Sequence, residues 1–165
     1  MCGIAGYAGR IPIDRELLAT MRDTMTHRGP DDLGMWISGD AAAGLAQRRL
    51  AIIDLSPGGH QPMPDARSRV HLSFNGEMYN FMEVRRELES RGHSFRTSSD
   101  TEVILAAYRE WDEDFLKRLT GMFALSMYDE DKRALYLARD RAGEKPLFVW
   151  QSATRLVFAS ELKAL

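Results

Sequence analysis

The chain has 165 residues, of which 44% are hydrophobic, enough for one domain with a buried core and too few for two independent catalytic domains. Its 22 Lys and Arg against 24 Asp and Glu leave a formal charge of -2 with neither sign gathered into a run, so no nucleic-acid partner and no membrane partner is expected. No apolar stretch reaches the roughly 18 to 20 residues of a membrane helix, and no basic segment followed by an apolar one opens the chain, so a cytoplasmic protein is expected. One cysteine cannot close an intramolecular disulfide, and four scattered histidines supply no Cys/His cluster for a metal.

In chain order, residues 4–8 read as a strand, and Leu17, Leu18, Met21 and Met25 then recur at helical spacing. Strands follow at 34–37, 42–48 and 70–75. Phe81, Val84 and Leu88 predict a second helix; Val103, Ile104, Ala107, Tyr108 and Trp111 predict a third; Phe115, Leu116 and Leu119 suggest a short fourth. The chain ends in strands at 122–128, 134–139, 147–150 and 156–159, the first two joined through a hairpin turn at 129–132. Tight links between late strands, with helices confined to the first two thirds, favour antiparallel sheets in an α+β plan over regular βαβ winding.

Cys2 follows Met1 directly. Cysteine is small enough for removal of Met1, which would place a thiol and a free α-amine on one residue. With unperturbed pKa values of about 7.7 to 8.0 for the amine and about 8.5 for the thiol, the amine can accept the thiol proton near neutral pH. Nucleophile and general base then arrive together, without a histidine. Taken alone, Met-Cys is better explained by a small apolar residue starting a strand. Gly3 and Gly6 leave the backbone beside Cys2 uncrowded, and Ile4 and Tyr7 can anchor that strand in the core.

Seven segments together resemble the class II glutamine amidotransferases, and within them the glutaminase domain of glutamine-hydrolysing asparagine synthetases. They are Met1-Cys2-Gly3-Ile4-Ala5-Gly6, His27-Arg28-Gly29-Pro30-Asp31, Arg48-Arg49-Leu50-Ala51-Ile52-Ile53-Asp54, Phe74-Asn75-Gly76-Glu77-Met78-Tyr79-Asn80, Ser99-Asp100-Thr101-Glu102, Gly121-Met122-Phe123-Ala124 and Arg139-Asp140-Arg141-Ala142-Gly143-Glu144-Lys145-Pro146-Leu147. The resemblance implies an N-terminal nucleophile hydrolase fold: a four-layer αββα sandwich of two antiparallel sheets flanked by helices, with Cys2 at the end of a central strand. It implies that Cys2 attacks the side-chain amide of L-glutamine through a thioester, and that the Asn75 amide and the Gly76 N–H hold the oxyanion. It also implies that Arg49, with backbone contacts from Leu50, Ala51, Ile52 and Ile53, takes the substrate carboxylate, and that Glu77 and Asp100 take its ammonium.

Residue chemistry suits these roles, since Asn75 carries two N–H donors, Gly76 has no side chain to obstruct its own N–H, and Arg49 can grip a carboxylate in two prongs. Each also has a plain reading. Asn75-Gly76 after a strand reads as a turn, Arg49 as an exposed charge beside Arg48, Glu77 as a turn acid, and Asp100 as part of a helix cap with Ser99 and Glu102. The loops at 28–31 and 140–146 read as rigid turns tied by Arg to Asp contacts, and His27 and His60 receive no role as a base.

By the resemblance the glutaminase step needs no cofactor, whereas ATP and Mg belong to a synthetase domain or subunit that receives the ammonia for an acceptor such as aspartate. Glu161-Leu162-Lys163-Ala164-Leu165 resembles the passage toward the family's last glutaminase segment, which suggests a glutaminase domain truncated at its C-terminal end, and a homodimer is possible on this reading. A catalytically silent glutamine-binding regulatory module is the alternative function. A redox thiol fits less well, because no resolving cysteine exists.

Overall fold

The computed structural model describes residues 1–165. Five strands, β1 (Gly3–Gly9), β2 (Asp32–Ile37), β3 (Ala43–Arg49), β8 (Phe148–Gln151) and β9 (Arg155–Ala159), form one antiparallel sheet in the order β2-β3-β1-β9-β8. Four more, β4 (Met63–Pro64), β5 (Val70–Met78), β6 (Gly121–Asp129) and β7 (Ala134–Arg139), form a second antiparallel sheet in chain order. The helices are α1 (Arg15–Asp23), α2 (Phe81–Ser90) and α3 (Asp100–Trp111).

Strand alternation sorts the side chains into layers. On β5, Val70, Leu72, Phe74 and Met78 face outward onto Val84 and Leu88 of α2 and Val103, Ile104 and Tyr108 of α3. On the first sheet, Ala5, Ala46 and Ala159 face outward onto Leu18 and Met21 of α1 and Met25 just beyond it. The opposite faces meet each other: Ala43, Leu45 and Phe158 pack with Tyr128, and the Trp36 ring stacks on His71 at 4.1 Å between centroids. The result is the expected helix, sheet, sheet, helix stack. No helix is long and apolar enough to cross a membrane.

Three details differ from the expectations. Strand β4 has no signal in the sequence, being two residues long and ending in Pro64. The fourth helix is a 3-10 segment, Asp112–Arg118, because Asp112 at φ 50 breaks the α-helical path after Trp111. Asn75-Gly76 is no turn: both residues lie inside β5, paired with Ala124 and Phe123. The strands approach so closely there that a Cβ on Gly76 would stand 2.2 Å from the Met122 carbonyl oxygen, so glycine lets β5 run on to Met78. The hairpin at 129–132 forms as expected, with Asp129 Oδ1 accepting the N–H groups of Asp131 at 2.9 Å and Lys132 at 3.0 Å.

Strand β1 lies at the centre of its sheet, between β3 and β9, and the Phe158 ring crosses it at Gly6. A Cβ at Gly6 would come within 2.3 Å of that ring and 2.5 Å of the Gly44 carbonyl oxygen. Gly6→Ala is therefore expected to destabilise the fold by about 1 to 3 kcal/mol, read as a lower urea midpoint with an unchanged slope.

Candidate active site

Cys2 sits at the free end of β1, and alternation puts it on the same face as Gly6, the face turned toward the second sheet. Several contacts hold this end in place. The Cys2 carbonyl accepts from Arg28 Nε at 2.9 Å, Arg28 pairs with Glu161 at 3.0 Å, and Ile4 N–H donates to Ser160 Oγ at 3.0 Å while Ser160 N–H donates back to the Ile4 carbonyl at 2.8 Å. The thiol lies against Leu50, accepting its N–H at 3.4 Å and facing its carbonyl at 3.6 Å. Burial pushes the thiol pKa up, and the Leu50 N–H, the N-terminal charge, Arg49 and Gln47 offset this only in part. Such a thiol needs a neighbouring base to ionise.

The side expected to hold an oxyanion is built on an open strand edge. Because β4 begins only at Met63, opposite Leu72, β5 has no neighbouring strand beyond Leu72 on that edge. Polar side chains fill the gap: Gln61 Oε1 accepts the Phe74 N–H at 2.6 Å, Gln47 Nε2 donates to the Phe74 carbonyl at 3.1 Å, and Asp100 Oδ2 accepts the Met78 N–H at 3.1 Å. The Gly76 N–H lies between Phe74 and Met78 and, by the antiparallel ladder, points the same way. The Asn75 side chain faces the first sheet; only 1% of the residue is exposed, and its Nδ2 has no partner in the protein. A buried donor left unpaired costs stability and so signals a ligand.

Between these groups lies a cavity of about 280 Å³, small enough to suit one amino acid. Cys2, Asn75 and Gly76 line one part, and Arg49, Leu50, Ile52 and Ile53 another; Glu77 and Asp100 complete it. Ala51 alone of the expected residues is absent from the lining: its N–H turns away to Asp31 Oδ2 at 2.9 Å.

Arg49 is not the exposed charge its neighbour might suggest. Alternation along β3 sends Arg48 outward to Asp23 at 2.6 Å and Arg49 inward, where it is 8% exposed. Its guanidinium donates to the carbonyls of Asp54 and Ser56, and Gly59 makes room for it, since a Cβ there would stand 1.9 Å from Nη2. Glu77 belongs to β5 and not to a turn. Asp100 opens α3, but Ser99 does the capping by accepting the Thr101 N–H at 3.1 Å. Glu102 reaches back past Ser99 to the N–H groups of Arg96 at 3.0 Å and Thr97 at 2.8 Å. The Asp100 carboxyl is thus free for β5 and the cavity, and its burial, aided by the nearby Glu77 charge, pushes its pKa up against the N–H groups of Met78 and Thr101.

Sequence reasoning passed over Gln47, Gln61, Arg28 and Lys145. Gln47 carried a usable signal, a glutamine continuing the inward positions of Ala43 and Leu45, and it is fully buried. Gln61 and Lys145 sit in loops where no periodicity marks them, yet both line the cavity. The 140–146 loop is held by Asp-to-backbone bonds in place of Arg–Asp contacts: Asp140 accepts the N–H groups of Phe123, Glu144 and Lys145 at 2.9 to 3.1 Å. His27 bonds Glu161 at 3.0 Å and His60 bonds Asp32 at 2.8 Å; neither lines the cavity.

A family described as the glutamine amidotransferase domain matches residues 1–165. The chain belongs to this family. Among its relatives, an "Asparagine synthetase [glutamine-hydrolyzing] 3" of Bacillus subtilis is 39% identical over all of this chain, which covers 27% of that protein. A "Putative asparagine synthetase [glutamine-hydrolyzing]" of Mycobacterium bovis is 42% identical over all of the chain and 28% of its own length. The chain thus spans about a quarter of the length of these relatives. The structure of a glutamine phosphoribosylpyrophosphate amidotransferase from B. subtilis superposes with a TM-score of 0.81 at 21% identity, over 99% of this chain and 42% of that one, a likeness of fold.

In this amidotransferase domain the Arg28–Glu161 pair braces the Cys2 carbonyl. Burial would raise the Glu161 pKa, but Arg28, His27 and Lys163 outweigh it and push it down to about 2. A lowered carboxylate pKa stabilises the fold above the unfolded value near 4.5, and the contribution fades as pH falls toward about 2. Glu161→Gln is expected to cost about 2 kcal/mol at neutral pH. Thermal unfolding of the two proteins at several pH values checks this, since the gap should close between pH 4.5 and about 2.

Proposed function

We propose that this domain hydrolyses the side-chain amide of glutamine, with Cys2 as nucleophile and, once Met1 is removed, the Cys2 α-amine as general base. The observation that carries this reading is the placement of the Cys2 thiol, the unpaired Asn75 amide, the buried Arg49 and the buried Asp100 around one small cavity. Opposite charges stand ready for the two ends of an amino acid, and the nucleophile and oxyanion donors share the same space.

The thiol gives its proton to the amine as sulfur attacks the amide carbon. The carbonyl oxygen becomes an oxyanion between Asn75 Nδ2 and the Gly76 N–H. The C–N bond then breaks as the amine returns the proton to the departing nitrogen, releasing ammonia and leaving a thioester. Water adds to the thioester carbon, the C–S bond breaks, and glutamate leaves with the thiol restored. Arg49 holds the substrate carboxylate, Leu50, Ile52 and Ile53 contact it, and Glu77 with Asp100 holds the ammonium.

The ammonia is proposed to serve an ATP-dependent amidation such as aspartate to asparagine, in a synthetase domain or subunit that holds the ATP and Mg, a reading supported by relatives named as glutamine-hydrolysing asparagine synthetases. A reactive free thiol fits a reducing compartment, and the cytoplasm is the proposed setting. Met1 itself lines the cavity, so a chain that kept it would have its base blocked and could only bind glutamine. Ammonia release separates that silent module from the enzyme.

Glutamine-dependent ammonia release should disappear in Cys2→Ala while glutamine still binds. Asp100→Asn should raise the KM for glutamine about 10- to 100-fold with a smaller change in kcat, the loss of one charge-assisted hydrogen bond. Because burial raises the Asp100 pKa, its charged form is lost earlier on acidification than for an ordinary aspartate. KM should therefore climb as pH falls through that raised value, and calorimetric titrations of Cys2→Ala near it should show proton release to buffer on glutamine binding.

A further inference from the structure

Lys145 lines the cavity and is only 8% exposed, yet its ammonium has no hydrogen-bond acceptor and no carboxylate within ion-pair reach. The stem is buried while the ammonium opens onto the cavity, so its charge is placed to meet negative charge that enters or forms there. Its backbone is fixed beside the oxyanion donors. Asp140 Oδ2 accepts both the Lys145 N–H and the Phe123 N–H at 3.1 Å, and Phe123 is the residue that Gly76 faces across the ladder.

The charges around the cavity are unbalanced. Asp54, Glu77 and Asp100 line it against Arg49 and Lys145. Asp54 is satisfied by the N–H groups of Ser56 and Ser98, and Arg49 is tied to the 54–56 backbone and reserved for the substrate carboxylate. The glutamine zwitterion adds no net charge, and attack by Cys2 separates charge, an oxyanion forming beside Gly76 as the thiol proton passes to the α-amine. Negative charge therefore develops next to Glu77 and Asp100, which is costly where water is excluded.

We infer that Lys145 is a further residue of the glutaminase reaction, a positioning residue whose ammonium is the countercharge to Glu77, Asp100 and the forming oxyanion. The inference rests on the glutaminase reading. Acting through the field at the site, Lys145 works against the burial that disfavours the Asp100 carboxylate and favours the tetrahedral intermediate. It therefore acts on kcat as well as on KM, and it sets where activity falls on the acid side.

The test compares wild type, K145M and K145R in the mature protein by ammonia release with glutamine from acid to neutral pH, with thermal midpoints alongside. In K145M, kcat/KM should fall by about tenfold or more, with a share of the loss in kcat, and the acid limb should move up by about one pH unit, because removing a cation raises the pKa of neighbouring carboxylates. K145R, which keeps the charge, should restore the position of the acid limb. If K145M does not fold, K145Q, of similar polarity and no charge, carries the same comparison. An unchanged kcat and acid limb in a folded, uncharged variant overturns the inference while leaving the glutaminase reading intact. No ammonia release from wild type with a free Cys2 amine sinks that reading, and this inference with it.

Discussion

A buried strand edge cannot leave its N–H and C=O groups without partners, and in this domain that requirement falls on β5 beyond Leu72. The neighbouring two-residue β4 starts only opposite Leu72, so side chains from three separate segments come in to take its place further along. Gln47 crosses from the first sheet, Gln61 comes from the loop before β4, and Asp100 comes from the start of α3. Between the bonds they make, the Gly76 N–H has no strand to meet and faces the cavity. The proposed oxyanion site is thus a gap in a sheet, held at its two ends and left open in the middle.

The opposing wall depends on a similar economy. Strand β1 is hemmed in by β3 and β9, so the residue at its tip inherits the rigidity of the centre of the sheet. Arg28, Glu161 and Ser160 then fix the last peptides, which is uncommon for a chain terminus. A nucleophile on a fraying end would lose the entropic advantage of a preset geometry. Placing it on a central strand gives the terminus the precision usually reserved for residues deep in an element.

The parts of this arrangement legible in the sequence are those governed by local pattern. Helices α1, α2 and α3 follow from apolar residues at three- and four-residue spacing, and most strands from alternation. The αββα layering and the grouping of Arg49, Asn75 and Asp100 were reached through resemblance, since nothing in the spacing of these residues brings them together. Local rules misled at Asn75-Gly76, where a turn signal lies inside a strand because the approach of Met122 demands glycine. Ala51 was misplaced because the direction of one peptide in the 50–53 loop is set by Asp31, a tertiary contact. Gln61 and Lys145 were missed for the same reason, as their importance comes from what lies across the cavity and not from their neighbours in sequence.

Central to the account is that the thiol and the amine acting on glutamine belong to one residue, Cys2, standing first in the mature chain. The most direct test is to treat the protein with a glutamine-like diazo-ketone and map the modified peptides by mass. One adduct per chain, on an N-terminal peptide that begins at Cys2, and its suppression by excess glutamine, is the predicted result. Labelling of a peptide that still carries Met1, or an adduct on any residue other than Cys2, would contradict it.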